Sequence, residues 1–287
     1  MKEEIIYLYN FNDIEIHKNN NSIIFFNNGN KYLVEECNKR EGELLYIYNI
    51  SLNDNLFNKI IKTRFNRLLF NYDNVNYIVI KVIHDNNLYY FLNSLNYRKN
   101  YNNLLGTILD HSNWNNLISK KIDYIEYQYD HIKGKYKLID ESIDYYIGMA
   151  ELSISYYRSL RKDNDILTFS HKRINNDTLH NPKYLIIDSV TRDVSGILKY
   201  IFFYDLSINL RDFILNLDFN RYQYEKLISR MIYPSFYFDS YEKIVNNNDL
   251  NEEKNIKKFI EKSDSYEKYI SNIINIISFK FNVIKPF

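Results

Sequence analysis

Glycine, proline and cysteine are all scarce in this chain, and each scarcity excludes a class of site. The 287 residues include 6 Gly, 3 Pro and 1 Cys. The glycines stand at 29, 42, 106, 134, 148 and 196, and no two lie within five residues of each other. Glycine-rich loops that hold a phosphate need closely spaced glycines, so the dinucleotide-binding fingerprint and the Walker phosphate loop are both excluded.

Long apolar runs and a strong net charge are also missing. Cys37 alone cannot form a disulfide within the chain or a multi-cysteine metal centre, which favours a reducing compartment. The longest apolar run, Ile197–Leu206, is broken by Lys199 and Asp205, and the net charge is only +1. We therefore expect a soluble cytoplasmic protein that binds neither membranes nor nucleic acid.

Asparagine and tyrosine are abundant instead, with 42 Asn and 29 Tyr. Both residues, like the plentiful Ile, Lys and Phe, have A/T-rich codons, which indicates a low-GC bacterial genome. The asparagines alternate with periodic apolar residues, a pattern typical of a folded chain rather than a disordered one.

The first 85 residues predict a small β-rich lobe. Short β-branched or aromatic runs favour strands, and the apolar spacing over Leu56–Phe70 favours one helix. The predicted strands are Ile5–Tyr9, Ser22–Phe26, Lys31–Glu36, Leu44–Ile50 and Tyr77–Ile83.

Residues 86–287 predict a larger, mainly helical lobe. Apolar residues recur at steps of three and four over 122–132, 139–157, 194–202 and 256–277. Two short extended segments, Ile166–Ser170 and Tyr184–Asp188, interrupt this pattern. The predicted fold class is α+β, with two lobes that meet near residue 85.

Several segments of the larger lobe carry a family resemblance. The segment 120–160, the SHKRI sequence at 170–174, the segment 186–201 and the segment 227–245 resemble the CotS/YutH-type spore-coat proteins. That family is a branch of the kinase-like phosphotransferases of the aminoglycoside phosphotransferase and choline kinase type. The resemblance covers roughly residues 75–245 and implies the two-lobed protein-kinase-like fold.

The catalytic loop that the resemblance implies is altered. Active members carry His-Gly-Asp, then four residues, then Asn. Here His171 matches the His, Arg173 stands in place of the catalytic Asp, and Thr178 falls at the Asn position. A guanidinium has a pKa above about 12 and no acceptor atom, so Arg173 cannot accept a proton from an attacking hydroxyl. An alternative frame places Asp177 as the carboxylate and Asn181 as the metal ligand.

Asp188 has two interpretations. It fits the position of the family's metal-binding Asp, which makes it a magnesium ligand in the first interpretation. In the second it caps the helix predicted to begin near Arg192. Asp193 matches a family acidic residue that supports the catalytic loop, or it is simply a charge in the first turn of that helix.

The phosphate-pairing lysine of the small lobe is missing from its expected strand. Leu44–Ile50 reads LLYIYNI and holds no lysine, while Lys31 is expected in a turn and Lys81 on either face of its strand. Together with the altered loop, this indicates a degenerate catalytic site.

Two other segments have both a functional and a structural interpretation. Lys59, Lys62, Arg64 and Arg67 with interleaved phenylalanines favour either a phosphate contact or, more simply, a solvated helix face. The aromatic run Tyr233–Tyr241 favours buried packing over a docking patch.

The main hypothesis is a kinase-fold pseudoenzyme that acts as a binding or assembly protein. It would use no cofactor and would have protein partners, with a spore-coat location if the source forms spores. The alternative is an active phosphotransferase on a small hydroxylated metabolite, which would use ATP and Mg²⁺. A nucleotide-binding regulator without chemistry lies between the two.

Overall fold

The computed structural model describes residues 1–19, 22–53, 56–84, 88–95, 100–101, 105–175 and 178–286. The chain divides into two units. The first comprises Met1–Lys99, Asn103–Asp110 and Phe169–Ile187, and the second comprises Asn100–Asn102, His111–Thr168 and Asp188–Phe287. The predicted lobe boundary between residues 85 and 86 lies outside the described residues.

An antiparallel sheet forms the centre of the first unit. Its strands run in the order β1-β2-β3-β6-β4, and β5 also pairs with β6. The β2–β3 hairpin turns on Asn28 and Gly29, whose φ angles of 48° and 73° suit the Asn-Gly pair of a two-residue turn. The strands are β1 (Ile16–Asn19), β2 (Ser22–Asn27), β3 (Asn30–Glu36), β4 (Lys59–Ile61), β5 (Phe70–Tyr72) and β6 (Val75–Lys81).

Helix α1 (Lys2–Tyr9) contributes to a core with one face of this sheet. Successive side chains of a strand point to opposite faces, so Val34 faces this core whereas its neighbour Glu35 lies on the other face of β3. The core consists of Ile5, Tyr9, Ile14, Phe25, Tyr32, Val34, Phe70 and Val79.

The strand predicted at Ile5–Tyr9 is wrong, because these residues belong to α1. The two residues of the run that are fully buried, Ile5 and Tyr9, stand four apart and therefore share one helix face. Asn10 ends the helix in a left-handed conformation with φ 56°, and its N–H donates to the Ile6 carbonyl.

The strand predicted at Leu44–Ile50 is also wrong. These residues lie in helix α2 (Glu41–Asn53), which begins with Glu41 and Glu43 in its first turn. Leu44 and Ile47 are buried while Leu45 and Tyr46 are exposed, so burial follows the helical spacing of three rather than strand alternation. A short continuous apolar run is compatible with a buried strand or a buried helix. In this segment, packing against the rest of the unit favours the helix.

The helix predicted over Leu56–Phe70 is likewise wrong. Residues Lys59–Ile61 form β4, where Ile60 pairs with Ile80 of β6. Thr63 then closes a tight loop, since its N–H donates to the Arg67 carbonyl and Asn66 adopts a left-handed φ of 63°. Pairing with β6 overrides the helical spacing of the apolar residues. The strands predicted at 22–26, 31–36 and 77–83 are confirmed as β2, β3 and β6.

Helices dominate the second unit, as predicted. The predicted extended segments are confirmed as β7 (Leu167–His171) and β8 (Leu185–Ser189), which pair in a separate small sheet. The helices that follow α3 (Leu88–Ser94) are α4 (Trp114–Ile132), α5 (Lys137–Asp140), α6 (Ile143–Ser159), α7 (Thr191–Phe203), α8 (Leu210–Leu215), α9 (Arg221–Ile232), α10 (Ser235–Asn247), α11 (Glu253–Glu261) and α12 (Ser263–Ile277).

Helix α9 is buried along nearly its whole length. Every residue from Tyr222 to Ile232 is buried, and the helix contacts α6, α7 and α12. Asn220 starts it with a capping box, in which the Asn220 and Gln223 side chains each accept from the other residue's backbone N–H. Buried charges need partners of opposite charge or hydrogen bonds. The charged side chains of α9 therefore show where the buried polar contacts of this unit lie.

The aromatic run at Tyr233–Tyr241 is packed, as the sequence favoured. Tyr233, Tyr237, Phe238 and Tyr241 are all buried. Tyr237 stacks on Tyr146 at 3.8 Å between ring centroids, and its hydroxyl hydrogen-bonds to Ser142. These side chains therefore belong to the core of the second unit.

Candidate functional site

The strands β7 and β8 carry both ends of the segment that the resemblance identifies as a catalytic loop. His171 is the last residue of β7, and the Lys172 N–H continues the pairing by donating to the Tyr184 carbonyl at 2.9 Å. The loop then leads to a short 3₁₀ helix at Pro182–Tyr184, which precedes β8. Residues 176 and 177 lie outside the described residues, so the alternative role of Asp177 stays a prediction.

His171 and His180 are buried packing residues of the first unit. Their side chains are 1% and 0% exposed. Phe91 contacts both, with ring centroids 5.2 Å from His171 and 5.8 Å from His180. His180 Nδ1 hydrogen-bonds to the Leu56 carbonyl oxygen at 2.8 Å. His171, which matches the family's loop histidine, thus lies in an aromatic environment.

Arg173 is exposed at the start of the loop. Its Nη1 donates to the neighbouring Lys172 carbonyl at 2.8 Å. The guanidinium carries only donors, so the position offers hydrogen bonds to an anion but accepts none from a hydroxyl group. A carboxylate that orients an acceptor alcohol is therefore absent from this position.

The Thr178 hydroxyl holds the loop's own backbone. Its Oγ1 lies 2.9 Å from the Arg173 carbonyl and 3.1 Å from the Asn175 carbonyl, and it accepts from the Asn175 N–H at 2.9 Å. The side chain is 5% exposed. A threonine hydroxyl with these three contacts closes a turn, and its oxygen is committed to the protein.

Asn181, the metal ligand of the alternative frame, is held at both ends of its side chain. Its Oδ1 accepts from the Lys183 N–H at 3.0 Å and caps the 3₁₀ helix. Its Nδ2 donates to Glu35 Oε1 at 2.8 Å, and the Lys183 ammonium lies 3.4 Å from Glu35 Oε2. The buried Glu35 thus ties β3 to the segment before β8 within the first unit.

Asp188 lies at the end of β8 and belongs to the second unit. Its side chain is 0% exposed, and both carboxylate oxygens are occupied. Arg230 Nη2 donates to Oδ1 at 2.6 Å, and Arg192 Nη1 donates to Oδ2 at 2.7 Å. The Ser189 N–H also donates to Oδ1, at 2.6 Å. Burial alone raises the pKa of Asp188, but the adjacent Arg230 and Arg192 charges outweigh it, so the pKa lies below its ordinary value.

A second, partly buried carboxylate continues this network. Asp165 accepts from Lys226 Nζ at 2.6 Å and from the Ser189 hydroxyl at 2.9 Å. The Arg230 guanidinium also lies over the Trp114 ring, 4.8 Å from its centroid. Two residues of α9, Lys226 and Arg230, therefore fix the end of β8 through charge and stacking.

The lysine expected in the small lobe has to be sought on another element, because Leu44–Ile50 is helical. In kinases the phosphate-pairing lysine lies on the third strand, ahead of a helix. Here β3 precedes α2 and carries Lys31 at its beginning, paired with Phe26 rather than in a turn as expected. Glu35 lies on the same face of β3 as Lys31, four residues further along the strand. The buried position near the end of this face is therefore occupied by a carboxylate and not by a lysine.

These side chains do not fit a magnesium ion. Thr178 and Asn181 are engaged with the loop, and the Asp188 oxygens are engaged with two arginines. Throughout the described residues, no group of three or more His, Cys, Asp or Glu side chains is placed to hold a metal.

The sequence did not reveal Arg230, Lys226 and Glu35, whose side chains hold Asp188, Asp165 and Asn181 in place. Arg230 lies 42 positions from Asp188, and Glu35 lies 146 positions from Asn181. Contacts over such separations leave no spacing signal in a single sequence. One local hint existed, since Arg192 stands four residues after Asp188, a spacing at which charged side chains can meet.

The fold belongs to the class of kinase-like phosphotransferases. An aminoglycoside phosphotransferase from Alicyclobacillus acidocaldarius is similar with a TM-score of 0.66 and 9% identity, over 97% of this chain and 96% of that one. Choline kinase LicA from Streptococcus pneumoniae is similar with a TM-score of 0.52 and 10% identity, over 94% and 97% of the two chains. At these identities the likeness shows the fold alone.

The family is narrower than that class. The family model described as "Spore coat putative kinase YutH" matches residues 2–273, and the chain belongs to this family. The resemblance and the fold class expected from the sequence are thereby confirmed. No curated protein sequence matches the chain significantly. None of the helices in the described ranges combines the length and the apolar character needed to cross a membrane.

Proposed function

We propose that this protein is a kinase-fold binding or assembly protein that does not transfer phosphate. The observation that carries the proposal is Asp188, whose two oxygens are both held by arginines in a fully buried position. A magnesium ligand must instead present oxygen atoms to the ion and to the nucleotide phosphates. The family description connects the chain to the spore coat, which suits an assembly role with other proteins as partners.

The loop supports the same proposal independently. Arg173 stands where the catalytic carboxylate is expected, and the Thr178 hydroxyl hydrogen-bonds to the loop backbone. Positioning and electrostatic stabilisation provide nearly all of the catalysis in phosphoryl transfer. With Arg173 in place of the proton acceptor and the Asp188 oxygens held by arginines, the site would have little with which to accelerate the reaction.

An ATP- and magnesium-dependent phosphotransferase acting on a small hydroxylated metabolite is the second candidate. The observation that favours it is the fold match, which spans 97% of the chain to a phosphotransferase. In this case Asp188 would exchange its arginine partners for a metal when nucleotide binds, and Asp177 would serve as the carboxylate.

Thermal unfolding with and without ATP and Mg²⁺ separates the two candidates. A nucleotide at 100 times its dissociation constant stabilises a protein by about 2.7 kcal/mol, which raises the melting temperature of a chain of this size by roughly 4–5 °C. If the protein does not bind magnesium and nucleotide at this site, millimolar ATP should cause no magnesium-dependent shift in the melting temperature. It also expects no labelled phosphate on any member of a panel of sugars, amino alcohols and aminoglycosides.

The variant Asp188→Asn gives the second readout, with Asp205→Asn as the matched control. Asp205 is 77% exposed and pairs with Lys262. If Asp188 only supports the fold, its variant loses stability equally with and without nucleotide, and the control changes little. A magnesium-dependent shift in the native protein that Asp188→Asn removes would contradict the assignment of Asp188 to the fold alone, and labelled phosphate on a member of the panel would establish the phosphotransferase.

A further inference from the structure

The loop between β4 and β5 carries a compact cationic surface with exposed aromatic rings. We call it the 62–67 patch and define it as Lys62, Arg64, Phe65 and Arg67 together with Tyr7 of α1. Phe65 and Tyr7 are each 56% exposed, and Arg64 and Arg67 are exposed. The four residues of the loop belong to the segment whose sequence allowed a phosphate contact or a solvated face.

Arg64 lies beside both aromatic rings, which contact each other with their centroids 6.2 Å apart. Its guanidinium carbon lies 4.7 Å from the Tyr7 centroid and 5.3 Å from the Phe65 centroid. Its backbone N–H donates to the Leu8 carbonyl at 2.7 Å, which fixes the loop against α1. The planar guanidinium presents N–H donors whose geometry matches a carboxylate in a two-point hydrogen bond.

The loop backbone is rigid in the same region. Thr63 donates its N–H to the Arg67 carbonyl at 2.8 Å, and its hydroxyl accepts from the Arg67 N–H at 3.2 Å. Lys62 donates to Asn66 at 3.0 Å and lies over the Tyr48 ring at 4.6 Å. Because the loop is ordered before a partner arrives, little conformational entropy is lost when it binds.

Within the described part of the chain, the three cations of the patch have no carboxylate beside them. In the ranges that the structure describes, no carboxylate oxygen lies within 4 Å of the side-chain nitrogens of Lys62, Arg64 or Arg67. In the second unit, by contrast, the exposed Lys137 and Lys243 each have a carboxylate nearby, from Glu141 and Glu252. Glu41 marks the edge of the patch, where its carboxylate accepts from the Leu68 N–H at 3.1 Å.

We propose that the 62–67 patch binds a short acidic segment of a protein partner, with an apolar side chain beside its carboxylates. The carboxylates would meet the open edges of Arg64 and Arg67, and the apolar side chain would pack on Phe65 and Tyr7. This proposal rests on the proposed function and names the surface that such a binding protein would use.

A protein segment suits the patch better than a nucleic acid does. A nucleic acid needs a long row of cations, whereas this patch has three and is flanked by Glu41 and by Glu3 and Glu4 of α1. The net charge of +1 adds no long-range attraction for a polyanion. A short peptide with a few carboxylates fits between the flanking acids.

The test is fluorescence anisotropy with a labelled peptide of three Glu-Glu-Leu repeats, a Gln-Gln-Leu peptide of equal length and a nine-nucleotide oligothymidylate. We expect the glutamate peptide to bind the full chain and to weaken as salt rises, because salt screens exposed charges. The triple variant Lys62→Gln, Arg64→Gln, Arg67→Gln should bind it about tenfold more weakly.

The matched control is the triple variant Lys133→Gln, Lys135→Gln, Lys137→Gln, which removes the same charge from another exposed cluster. It should change peptide binding by less than about twofold, because it removes only a general electrostatic contribution. Arg64→Lys keeps the charge and loses the planar two-point donor, so it should weaken binding by an intermediate factor.

Equal losses in the two triple variants, or tighter binding of oligothymidylate than of the glutamate peptide, would overturn the proposal. So would a failure of the native chain to bind the glutamate peptide at low salt. Melting temperatures within about 1 °C of the native value establish that the variants fold, as expected for exposed side chains. Turnover of ATP with intact peptide binding would overturn the proposed function and leave the patch in place.

Discussion

The loop after β7 and the end of β8 differ in different ways from the phosphotransferase site that the resemblance implies. At Arg173 and Thr178 the residue type itself differs from the family's catalytic residues. At Asp188 the residue type is retained, but Arg192 and Arg230 occupy its oxygens. The comparison teaches that residue type alone does not assign a role to a carboxylate, since burial and partners decide what it does.

The largest effect should come from Asp188→Asn. Removing one member of a buried ion pair leaves the other charges without a partner, and such changes cost about 3–5 kcal/mol. We expect a loss of about 3 kcal/mol in the free energy of unfolding, measured by urea denaturation at pH 7. A loss below about 1 kcal/mol would show that the two arginines do not depend on this carboxylate.

The same carboxylate should give the protein an acid-sensitive stability. The folded-state pKa of Asp188 lies below its ordinary value of 3.8, so its contribution to stability is present above about pH 5. It is lost as the pH falls below about 4, through the folded-state pKa. The stability difference between the native chain and Asp188→Asn should therefore shrink over this acid range, and an unchanged difference down to pH 2 would contradict the assignment.

A smaller effect is expected in the loop from Thr178→Val, which keeps the shape and removes the hydroxyl. The Asn175 N–H then loses its acceptor, and the loss of such a local side-chain bond costs about 1 kcal/mol. Urea denaturation measures the stability, and limited proteolysis reports whether the loop opens. The variant Thr178→Ser should be near the native value, because it restores the oxygen.

The smallest effect is expected from Arg173→Ala. Arg173 is exposed and its Nη1 donates to the adjacent carbonyl, so its removal should change the free energy of unfolding by less than about 0.5 kcal/mol. A loss above 1 kcal/mol would mean that the guanidinium supports the loop. Arg173 and Asp188 would then both have structural roles, and the two regions would differ less than described above.

The helical half of the fold was accessible from the sequence because its apolar spacing is long and regular. The β-rich part was accessible only in part. Runs such as LLYIYNI in α2 are apolar at nearly every position, so neither period prevails until the chain packs. Residues 56–70 show the opposite failure, where a helical stripe was present but Ile60 gained a strand partner in β6.

The candidate site, like the fold, could be predicted from the sequence only in part. The substituted identities at 173 and 178 could be recognised from the sequence, because they rest on residue types at a known spacing. The roles of Glu35, Arg230 and Lys226 could not, because each depends on a contact with a residue distant in sequence. Two interpretations of Asp188 stood open for this reason, and the structure adds a third, an ion-paired support for the end of β8.

The burial of α9 has a consequence for how the second unit opens. Its amide groups from Tyr222 to Ile232 are shielded from solvent, and its charged side chains are tied to the end of β8 and to Asp165. Deuterium can reach these amides only when the surrounding helices separate together. Helix α9 should accordingly be among the last segments of the chain to exchange, and its exchange rate should report the cooperative opening of the unit around it.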